Sequence, residues 1–394
     1  MEKIILHIDL NNFFASVEQL INPYLKTKPM AVAGNPKNRH GIVLAKNMLA
    51  KEKGVKTAET IYSARQKCPG IIFVPPKYDL YERYAHIVRN IYYDYTDKVE
   101  FFGIDEAWLD VTGSVRIYGS GVDIANLIRN RIKKETGLTV SVGVSFNKIF
   151  AKLGSDLRKP DYTTVINKEN YKKKIYPLYA SNLLYVGKKM YERLKDLGIY
   201  TIGDIAKADK KFIVEKFGAQ GEKIWNAAKG IADDFVMDFH DNYRLVSSIG
   251  KGKTFDKDLS QLKDIKKQIS ILSDQVVKNL RSKNLLAKSI KIDVKSFDFK
   301  TKTRQKKLIE PSSSYITIRD EFNKLFTNNF SNFRIRALTL TVTNLIYSHQ
   351  LYQQSFIFNK NNHYLKVDNT IDKIRKRFGD EAISIGFSRL KKKD

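Results

Sequence analysis

Three carboxylates could carry the chemistry of this chain: Asp9, Asp105 and Glu106. Asp105 and Glu106 are adjacent within FFGIDEAWLDVTGS, residues 101–114, a stretch that is otherwise mostly apolar. Burying two neighbouring carboxylates is costly because each loses solvent and repels the other, so a cation is expected beside them. Carboxylate oxygens with little competing nitrogen or sulfur favour a hard cation such as Mg²⁺ or Mn²⁺.

The order of predicted elements can bring these carboxylates together. Apolar periodicity predicts strand, helix, strand, strand, helix and strand, over residues 3–8, 78–95, both sides of Asp105, 122–136 and 138–144. This is the ferredoxin-like order, with residues 11–76 inserted after the first strand. Because the first and third strands are neighbours in that order, Asp9 can meet Asp105 and Glu106 at one edge of the sheet.

An inert interpretation of the same residues stays open. Asp105 and Glu106 fit a solvated hairpin tip, and Asp9 fits the N-cap of the helix that follows it. Spacing alone does not decide between a metal site and these structural roles.

The charge of the chain favours a polyanionic partner. Its 70 Lys and Arg residues exceed its 42 Asp and Glu residues, which leaves a formal net charge of +28. The residues from Asp241 onward hold 32 of the basic and 15 of the acidic ones, so the excess is concentrated there. Such a field attracts nucleic-acid backbones and releases their counterions. The alternative is a lysine-rich proteome with no special partner.

Several classes of protein are disfavoured by composition. The single cysteine, Cys68, excludes disulfides within the chain and thiolate metal sites. The N-terminal sequence MEKIILHIDLNNFF reads as a strand and not as a signal peptide or a membrane span. A cytoplasmic protein without membrane contact is therefore expected.

Beyond residue 166 the pattern of apolar and charged residues changes. Short basic helices follow to about residue 237, and the apolar periodicity lapses near residues 238–244, which predicts a linker. Residues 289–295 and 336–343 alternate as half-buried strands do, with helical patterns near 260–282 and 314–328. These elements predict a small α+β domain at the C-terminal end, and the last residues are expected to be mobile.

Four motifs follow one another along the chain: HIDLNNFFASVE (7–18), GIVLAKNMLAKEKGVKTAE (41–59), GIDEAWLDVTGS (103–114) and VSVGVSFNKIFAKLGSDLRKPD (140–161). In this order they resemble the motifs of the Y-family translesion DNA polymerases, most closely the bacterial DNA polymerase IV type. The resemblance extends to about residue 346, and more loosely beyond. It implies a template-dependent, error-prone DNA polymerase that adds deoxynucleotides to a primer 3′-hydroxyl and bypasses damaged template bases.

The resemblance also implies an α+β multidomain fold. It consists of a ferredoxin-like palm with a fingers insertion, a helical thumb with a helix-hairpin-helix, and a C-terminal α+β little finger. The implied boundaries are palm 1–10 and 77–166, fingers 11–76, thumb 167–240, linker 241–246, little finger 247–346 and a tail 347–394.

The metal ligands implied by the resemblance are Asp9, the backbone carbonyl of Leu10, Asp105 and Glu106. They would hold two Mg²⁺ ions, which Mn²⁺ can replace. Asp9 would bridge both ions, and Asp105 and Glu106 would hold the one that activates the primer 3′-hydroxyl. Asp9, Asp105 and Glu106 are therefore the expected catalytic residues.

The nucleotide pocket is expected around Phe13 and Phe14. Phe14 matches the steric gate of the family, a ring under the sugar that leaves no room for a 2′-hydroxyl, and Phe13 fits the core as a side chain. Backbone N–H groups of residues 12–14 can meet a triphosphate at a helix start. The structural alternative is that both rings simply belong to the core.

The fingers motif departs from the common pattern of the family. Ala45, Met48 and Lys51 stand where many relatives have Ser or Thr, Tyr and Arg. Ala45 and Met48 cannot donate a hydrogen bond to a phosphate, and Lys51 lacks the fork of arginine. Lys159 matches a triphosphate contact of the family, although it also fits a solvated lysine before a turn. Lys46 is a candidate to compensate.

The DNA-holding elements follow from the same resemblance. Gly187 and Lys188 belong to LLYVGKKMYERLKDLGIYTIGDIA (183–206), which resembles a helix-hairpin-helix whose backbone contacts phosphates. Arg334 and Arg336 begin RIRALTLTVT, whose polar face is expected along the DNA. Residues Gln354–Phe358 loosely resemble a peptide that binds the replication sliding clamp. The expected protein is a monomer that binds primer-template DNA and deoxynucleoside triphosphates.

Two other functions stay open at this stage. One is a non-catalytic DNA-binding factor on a polymerase scaffold, which the altered residues Ala45 and Met48 allow and the three carboxylates disfavour. The other is a metal-dependent nuclease or nucleotidyl cyclase built on the same palm. The thumb motif and the basic C-terminal domain disfavour a cyclase.

Overall fold

The computed structural model describes residues 2–35, 41–231, 235–237, 246–330, 334–350, 360–380 and 382–383, without the side chains of residues 350 and 360–363. The chain forms two compact units, Met1–Tyr243 and Arg244–Asp394. The predicted linker at 241–246 lies outside the described residues except for residue 246.

The first unit is a mixture of strands and helices. Its strands are β1 (Ile5–Leu10), β2 (Met30–Ala33), β3 (Val43–Lys46), β4 (Ile72–Val74), β5 (Val99–Phe101), β6 (Glu106–Asp110), β7 (Val140–Ser145) and β8 (Thr163–Ile166). Its helices are α1 (Phe13–Ile21), α2 (Met48–Glu52), α3 (Ile61–Lys67), α4 (Tyr78–Tyr93), α5 (Val115–Tyr118), α6 (Gly121–Thr136), α7 (Lys148–Leu157), α8 (Tyr171–Ile175), α9 (Lys188–Asp196), α10 (Ile202–Lys207), α11 (Lys210–Phe217) and α12 (Ala219–Lys229).

A five-stranded sheet positions the carboxylates. Its strand order is β5-β6-β1-β7-β8, and β1 pairs antiparallel with both β6 and β7. The first four strands in this order have the ferredoxin-like arrangement predicted from the sequence, and β8 adds a parallel edge. The predicted first strand ends before Asp9, whereas β1 continues to Leu10 because Asp9 and Leu10 still pair with β7.

The two faces of this sheet are covered by different helices. Leu6, Ile8 and Leu10 of β1 pack in one core with residues of α4 and α6. Ile5 packs on the other face against Trp108 and a residue of α7. The helix α7 lies very close to β7, because a Cβ added at Gly143 would be 1.9 Å from the Ala151 carbonyl oxygen. This close approach brings α7 over the face that carries Asp9.

The inserted segment and the following helices form smaller layers. A three-stranded sheet of order β3-β2-β4 packs with α2 and α3 around a core of its own. Helices α8 to α12 surround a third core, which also contains residues of α7. The α+β fold class with several domains is therefore confirmed, whereas the domain boundaries given above stay proposals.

The second unit is an α+β layer. It contains β9 (Ser248–Leu259), α13 (Leu262–Ser282), β10 (Leu285–Ser296), β11 (Thr301–Ser312), α14 (Tyr315–Phe330), β12 (Ile335–Tyr347) and α15 (Lys360–Phe378). The sheet order is β11-β10-β12-β9, and α13 and α14 pack on its apolar face. The sequence patterns predicted α13, α14 and the middle strands, but not β9 or β11, because these two edge strands are rich in exposed lysine and other polar residues.

The helix α15 lies within the stretch expected as a tail. Two arginine–aspartate pairs fasten it to α13: Arg281 donates to both oxygens of Asp372 at 2.6 and 3.0 Å, and Arg375 donates to both oxygens of Asp274 at 3.0 and 2.9 Å. Both arginine side chains are only 6% exposed. Buried bidentate pairs of this kind hold two elements in one register.

Helix α15 also provides a hydrogen-bond acceptor for the backbone at the beginning of α14. The buried Asp368 accepts a hydrogen bond from the Tyr315 backbone N–H at 2.8 Å. Arg281 also donates to the Ser313 carbonyl at 3.1 Å. The folded part of the second unit therefore includes α15, although the sequence from residue 347 onward showed no pattern from which this was predicted.

Replacing Arg281 with alanine should destabilise the second unit by about 3–5 kcal/mol, because Asp368 and Asp372 would lose a buried cationic partner. Both tryptophans, Trp108 and Trp225, lie in the first unit. Hydrogen exchange of amides in β10 and α14 should therefore accelerate while the tryptophan fluorescence midpoint in denaturant stays unchanged. The exposed Lys283→Ala is the control, and equal protection in both variants would contradict the prediction.

No helix in the part of the chain that the structure describes has the length and apolar character needed to cross a membrane.

Candidate active site

Asp9 and Glu106 lie directly opposite each other on neighbouring strands. In the β1–β6 pair Asp9 faces Glu106, and His7 faces Trp108. Side chains directly opposite in an antiparallel pair share one face, with Cβ atoms about 4.5–5.5 Å apart. The two carboxylates therefore project from the face that packs against α7.

Asp105 approaches from the bend that precedes β6. Residues 103–105 form this bend, and Gly103 has a φ of +87°, a conformation that glycine adopts without steric cost. The Leu10 N–H donates to the Asp105 carbonyl at 3.0 Å, and Asp105 lines a small cavity with Tyr92 and Phe101. The bend therefore brings Asp105 to the end of β1, beside Asp9 and Leu10.

Lysine side chains engage two of these carboxylates. Lys159 Nζ lies 2.8 Å from both Asp9 Oδ2 and Asp156 Oδ1, and Lys152 Nζ lies 2.5 Å from Glu106 Oε2. Within the described ranges, no group of three or more His, Cys, Asp or Glu side chains is arranged so that it could hold a metal ion as it stands. Asp9 and Glu106 thus meet at one sheet edge, with ammonium groups as their cationic partners.

Burial is the largest single influence on the pKa of each of the three carboxylates. It raises the pKa of Asp9 in spite of Lys159, and it raises the pKa of Asp105, with repulsion from Glu106 acting in the same direction on both. Burial also acts to raise the pKa of Glu106, but the neighbouring His7 imidazole and the hydrogen bond and charge of Lys152 outweigh it and hold that pKa below its usual range. Asp9 and Asp105 are therefore carboxylates whose ionised forms would be stabilised by additional positive charge.

Three residues beside the carboxylates were not predicted as parts of the site. His7 Nε2 lies 3.4 Å from Glu106 Oε2, and its Nδ1 lies 2.8 Å from the Ser155 hydroxyl. Lys152 and Asp156 reach the site from α7. The available signal was their spacing of four residues along one helix face, which becomes informative only once α7 is known to cover β1.

The rings of Phe13 and Phe14 have different surroundings. Phe13 is buried in the core of the five-stranded sheet. Phe14 is half-buried and stacks on Tyr81, with ring centroids 4.3 Å apart and an interplanar angle of 13°. α1 begins at Phe13, and its N-cap residue Asn12 makes no side-chain capping hydrogen bond. Phe14 is thus the more exposed of the two rings.

A polar cleft lies between the start of α1 and the start of α2. Asn12, Asn47, Met48, Thr139 and Pro160 are among its lining residues. Met48 offers no hydrogen-bond donor to this cleft, as predicted from its side chain. Lys159 directly precedes Pro160, which lines the cleft, and its side chain reaches Asp9. The cleft therefore lies beside the start of α1 and next to Pro160, the residue that follows Lys159.

Ala45, Lys51 and Lys46 of the fingers motif have different surroundings. Ala45 packs against the core of the larger sheet. Lys51 is exposed, and Lys46 is half-buried and donates to the Thr57 hydroxyl at 2.9 Å. Burial lowers the pKa of Lys46, and the neighbouring charge of Lys51 lowers it further. Lys46 is therefore a cation near Lys51, but its ammonium is directed at Thr57.

The predicted DNA-holding residues of the first unit lie at a helix start. Gly187 is the N-cap of α9, and a Cβ added there would have no neighbour within 4 Å. The Lys188 side chain is 91% exposed. The chain turns at Gly198 before α10, which begins with a capping box formed by Thr201 and Asp204. This is an open, basic helix start where backbone N–H groups can reach a phosphate.

The predicted arginines of the second unit lie at the beginning of β12. Arg334 is exposed, 3.4 Å from Asp258, and Arg336 lies over the Phe299 ring at 4.3 Å. Thr339 and Thr341 pair with Gly252 and Gly250 of β9 on the side away from α13 and α14. One face of this sheet is therefore polar and open. The predicted clamp peptide, Gln354–Phe358, lies outside the described residues.

Comparisons with known proteins show which family the chain resembles. A model of the impB/mucB/samB family matches residues 8–156, and a model of the C-terminal domain of that family matches residues 246–356. The chain is 42% identical to DNA polymerase IV of Acetivibrio thermocellus over 390 residues, 98% of each protein. It is 34% identical to DNA polymerase IV 1 of Bacillus subtilis, over 100% of this chain and 94% of that one.

Solved structures agree. A Y-family DNA polymerase chimera of Dbh and Dpo4 superposes with a TM-score of 0.77 and 26% identity, covering 87% of this chain and 99% of the chimera. The chain belongs to the Y-family of DNA polymerases. A post-insertion binary complex of Dbh DNA polymerase is also similar, with a TM-score of 0.62 and 25% identity over the same shares of the two chains. The predicted family and the predicted class of enzyme, a DNA-directed DNA polymerase, are confirmed.

Proposed function

We propose that this polymerase extends a primer 3′-hydroxyl by two-metal nucleotidyl transfer and copies damaged template bases. The observation that carries the proposal is the meeting of Asp9 and Glu106 in register across β1 and β6, with Asp105 bonded to Leu10 at the same sheet edge. A bound primer supplies the attacking oxygen, so the reaction needs no nucleophilic side chain of the protein.

The residues at this edge fit divalent cations by their chemistry. They offer three carboxylates and the Leu10 carbonyl as oxygen ligands. Burial raises the pKa of Asp9 and of Asp105, so a nearby cation would stabilise their ionised forms. Asp9, Leu10, Asp105 and Glu106 would hold two Mg²⁺ ions. When bound, these ions supply Lewis acidity that activates the primer hydroxyl and stabilises the leaving pyrophosphate.

The two lysines of the site have a role in this proposal. Lys152 and Lys159 balance the charge of Glu106 and Asp9. For the carboxylates to bind cations, both ammonium groups have to turn aside. Lys159 stands next to the cleft at Pro160, so its ammonium can then pair with the triphosphate of the incoming nucleotide.

Replacing Lys159 with alanine should raise KM for the incoming deoxynucleotide roughly tenfold or more, because a charge-assisted hydrogen bond to phosphate is lost. Steady-state primer extension by single nucleotides measures this. The matched control is Lys134→Ala, which removes an exposed lysine of α6. A KM unchanged in both variants would remove Lys159 from the triphosphate site.

The partners follow from the same function. Primer-template DNA would lie on the polar face of the second sheet, near Arg334 and Arg336, and on the helix start at Gly187 and Lys188, through phosphate contacts without sequence readout. Binding of a sliding clamp by Gln354–Phe358, a monomeric state and a cytoplasmic location are further proposals that rest on the family resemblance.

Primer extension tests the proposed function. Native protein, primer-template DNA, the four deoxynucleotides and Mg²⁺ should yield a lengthened primer, and a template with one damaged base should still be copied past the lesion. Shortening of the primer would indicate a nuclease instead. Binding of DNA without any change of primer length would indicate the non-catalytic scaffold. Extension that halts at the lesion would refute damage bypass alone.

A further inference from the structure

A buried carboxylate without a part in nucleotidyl transfer lies behind Phe14. Glu18 is only 2% exposed, on the same helix as Phe14 and one turn after it. Its Oε1 accepts a hydrogen bond from the Tyr81 hydroxyl at 2.8 Å, and its Oε2 accepts one from Lys77 at 2.7 Å. Burying an ion pair yields little stability by itself, so what Glu18 holds in place is the more informative question.

Tyr81 connects Glu18 to the ring of Phe14. Tyr81 is fully buried on α4, and its ring stacks on Phe14 with centroids 4.3 Å apart. Tyr78 packs edge-on against both rings at 6.1 Å. Tyr81 is thus held at two points, by its ring against Phe14 and by its hydroxyl against Glu18. The Phe14 ring cannot recede toward the core unless Tyr81 moves, and Tyr81 cannot move unless it gives up a buried hydrogen bond.

We propose that Tyr81, held in place by Glu18, is a positioning residue that keeps the Phe14 ring against the sugar of the incoming nucleotide and so contributes to the exclusion of ribonucleotides. This inference rests on the proposed function, in which Phe14 is the steric gate. The Phe14 ring excludes a 2′-hydroxyl only if it cannot be displaced from its position under the sugar. The strength of that exclusion therefore depends on the residues packed behind the ring.

The experiment compares kcat/KM for a ribonucleotide with kcat/KM for the matching deoxynucleotide. Tyr81→Ala should raise this ratio about tenfold, because the aromatic pair is lost and a cavity opens behind Phe14. Tyr81→Phe and Glu18→Leu should each raise it roughly two- to tenfold, because the ring stays but the hydrogen bond that fixes it is lost. Glu18→Gln keeps a hydrogen-bond acceptor for the Tyr81 hydroxyl, so its ratio should equal that of the native protein.

A control separates positioning from stability. Tyr84→Ala removes another tyrosine of α4 that packs against the same core but makes no ring contact with Phe14 in the described residues. It should lower the melting temperature and leave the ratio unchanged. If Tyr81→Ala does not fold, Tyr81→Phe and Glu18→Leu carry the test.

The outcomes distinguish this inference from the proposed function. If Phe14→Ala raises the ratio while folded Tyr81→Phe, Glu18→Leu and, where it folds, Tyr81→Ala leave it unchanged, the positioning role is refuted and the gate stands. If Phe14→Ala also leaves it unchanged, the gate itself is wrong. A rise in Glu18→Gln equal to that in Glu18→Leu would overturn the part assigned to the hydrogen bond.

Discussion

Primer extension should fall by about a thousandfold or more when Asp105 or Glu106 is replaced by alanine, because each change removes a carboxylate on which several kcal/mol of transition-state stabilisation depend. The two residues lie at the same sheet edge as Asp9. Single-turnover extension of a labelled primer in Mg²⁺ measures the rate. The matched control is Glu82→Ala, which removes an exposed acid of α4.

Asp105→Ala should remain folded. Burial holds the pKa of Asp105 above that of a free aspartate, so its ionised form costs stability at neutral pH. Removing this carboxyl should therefore not lower the free energy of unfolding, although activity is lost. Retention of extension within tenfold of native in both alanine variants would exclude the proposed catalytic roles. Loss of activity together with loss of folded protein would leave the carboxylates as structural residues.

The second large effect is expected at the sugar. Phe14→Ala should raise the use of ribonucleotides relative to deoxynucleotides by roughly a hundredfold, within the range that a size-selective pocket provides. Phe14 is the half-buried ring of the pair, so its removal opens space on the substrate side. The measurement is kcat/KM for each nucleotide on one template base.

Phe13→Leu is the comparison for the gate. Phe13 is 3% exposed and belongs to the core, so its replacement should lower stability and leave sugar discrimination as it is. A hundredfold change in Phe13→Leu with none in Phe14→Ala would reverse the assignment of the two rings. Equal discrimination in all three proteins would show that another feature excludes the 2′-hydroxyl.

The palm was predictable because its elements are strongly patterned. The apolar run of β1, the helical periodicity of α4, and the capping box and terminal glycine of α6 are local signals that the tertiary structure reinforces. The second unit was less predictable. β9 and β11 are edge strands with exposed lysines, and α15 is fastened by arginine–aspartate pairs whose partners are about a hundred residues apart in the chain.

The site was predictable only in part. Types and spacing singled out Asp9, Asp105 and Glu106, and the family resemblance supplied their expected roles. Lys152, Asp156 and His7 were not predicted because their relation to the carboxylates depends on how closely α7 lies on the sheet. The backing of Phe14 by Tyr81 and Glu18 joins residues about 63 positions apart, which spacing along one helix does not reveal.

The amino-acid sequence by itself determined the family, the class of enzyme and the order of strands and helices in the palm, because these depend on local periodicity and on motifs that can be read without distances. Only the tertiary structure decided which polar groups face one another: Asp9 against Glu106, each with a lysine, and Glu18 against the Tyr81 hydroxyl behind the Phe14 ring. The physical reason is that electrostatic and packing energies depend on separations of a few ångströms between residues that are distant in the chain.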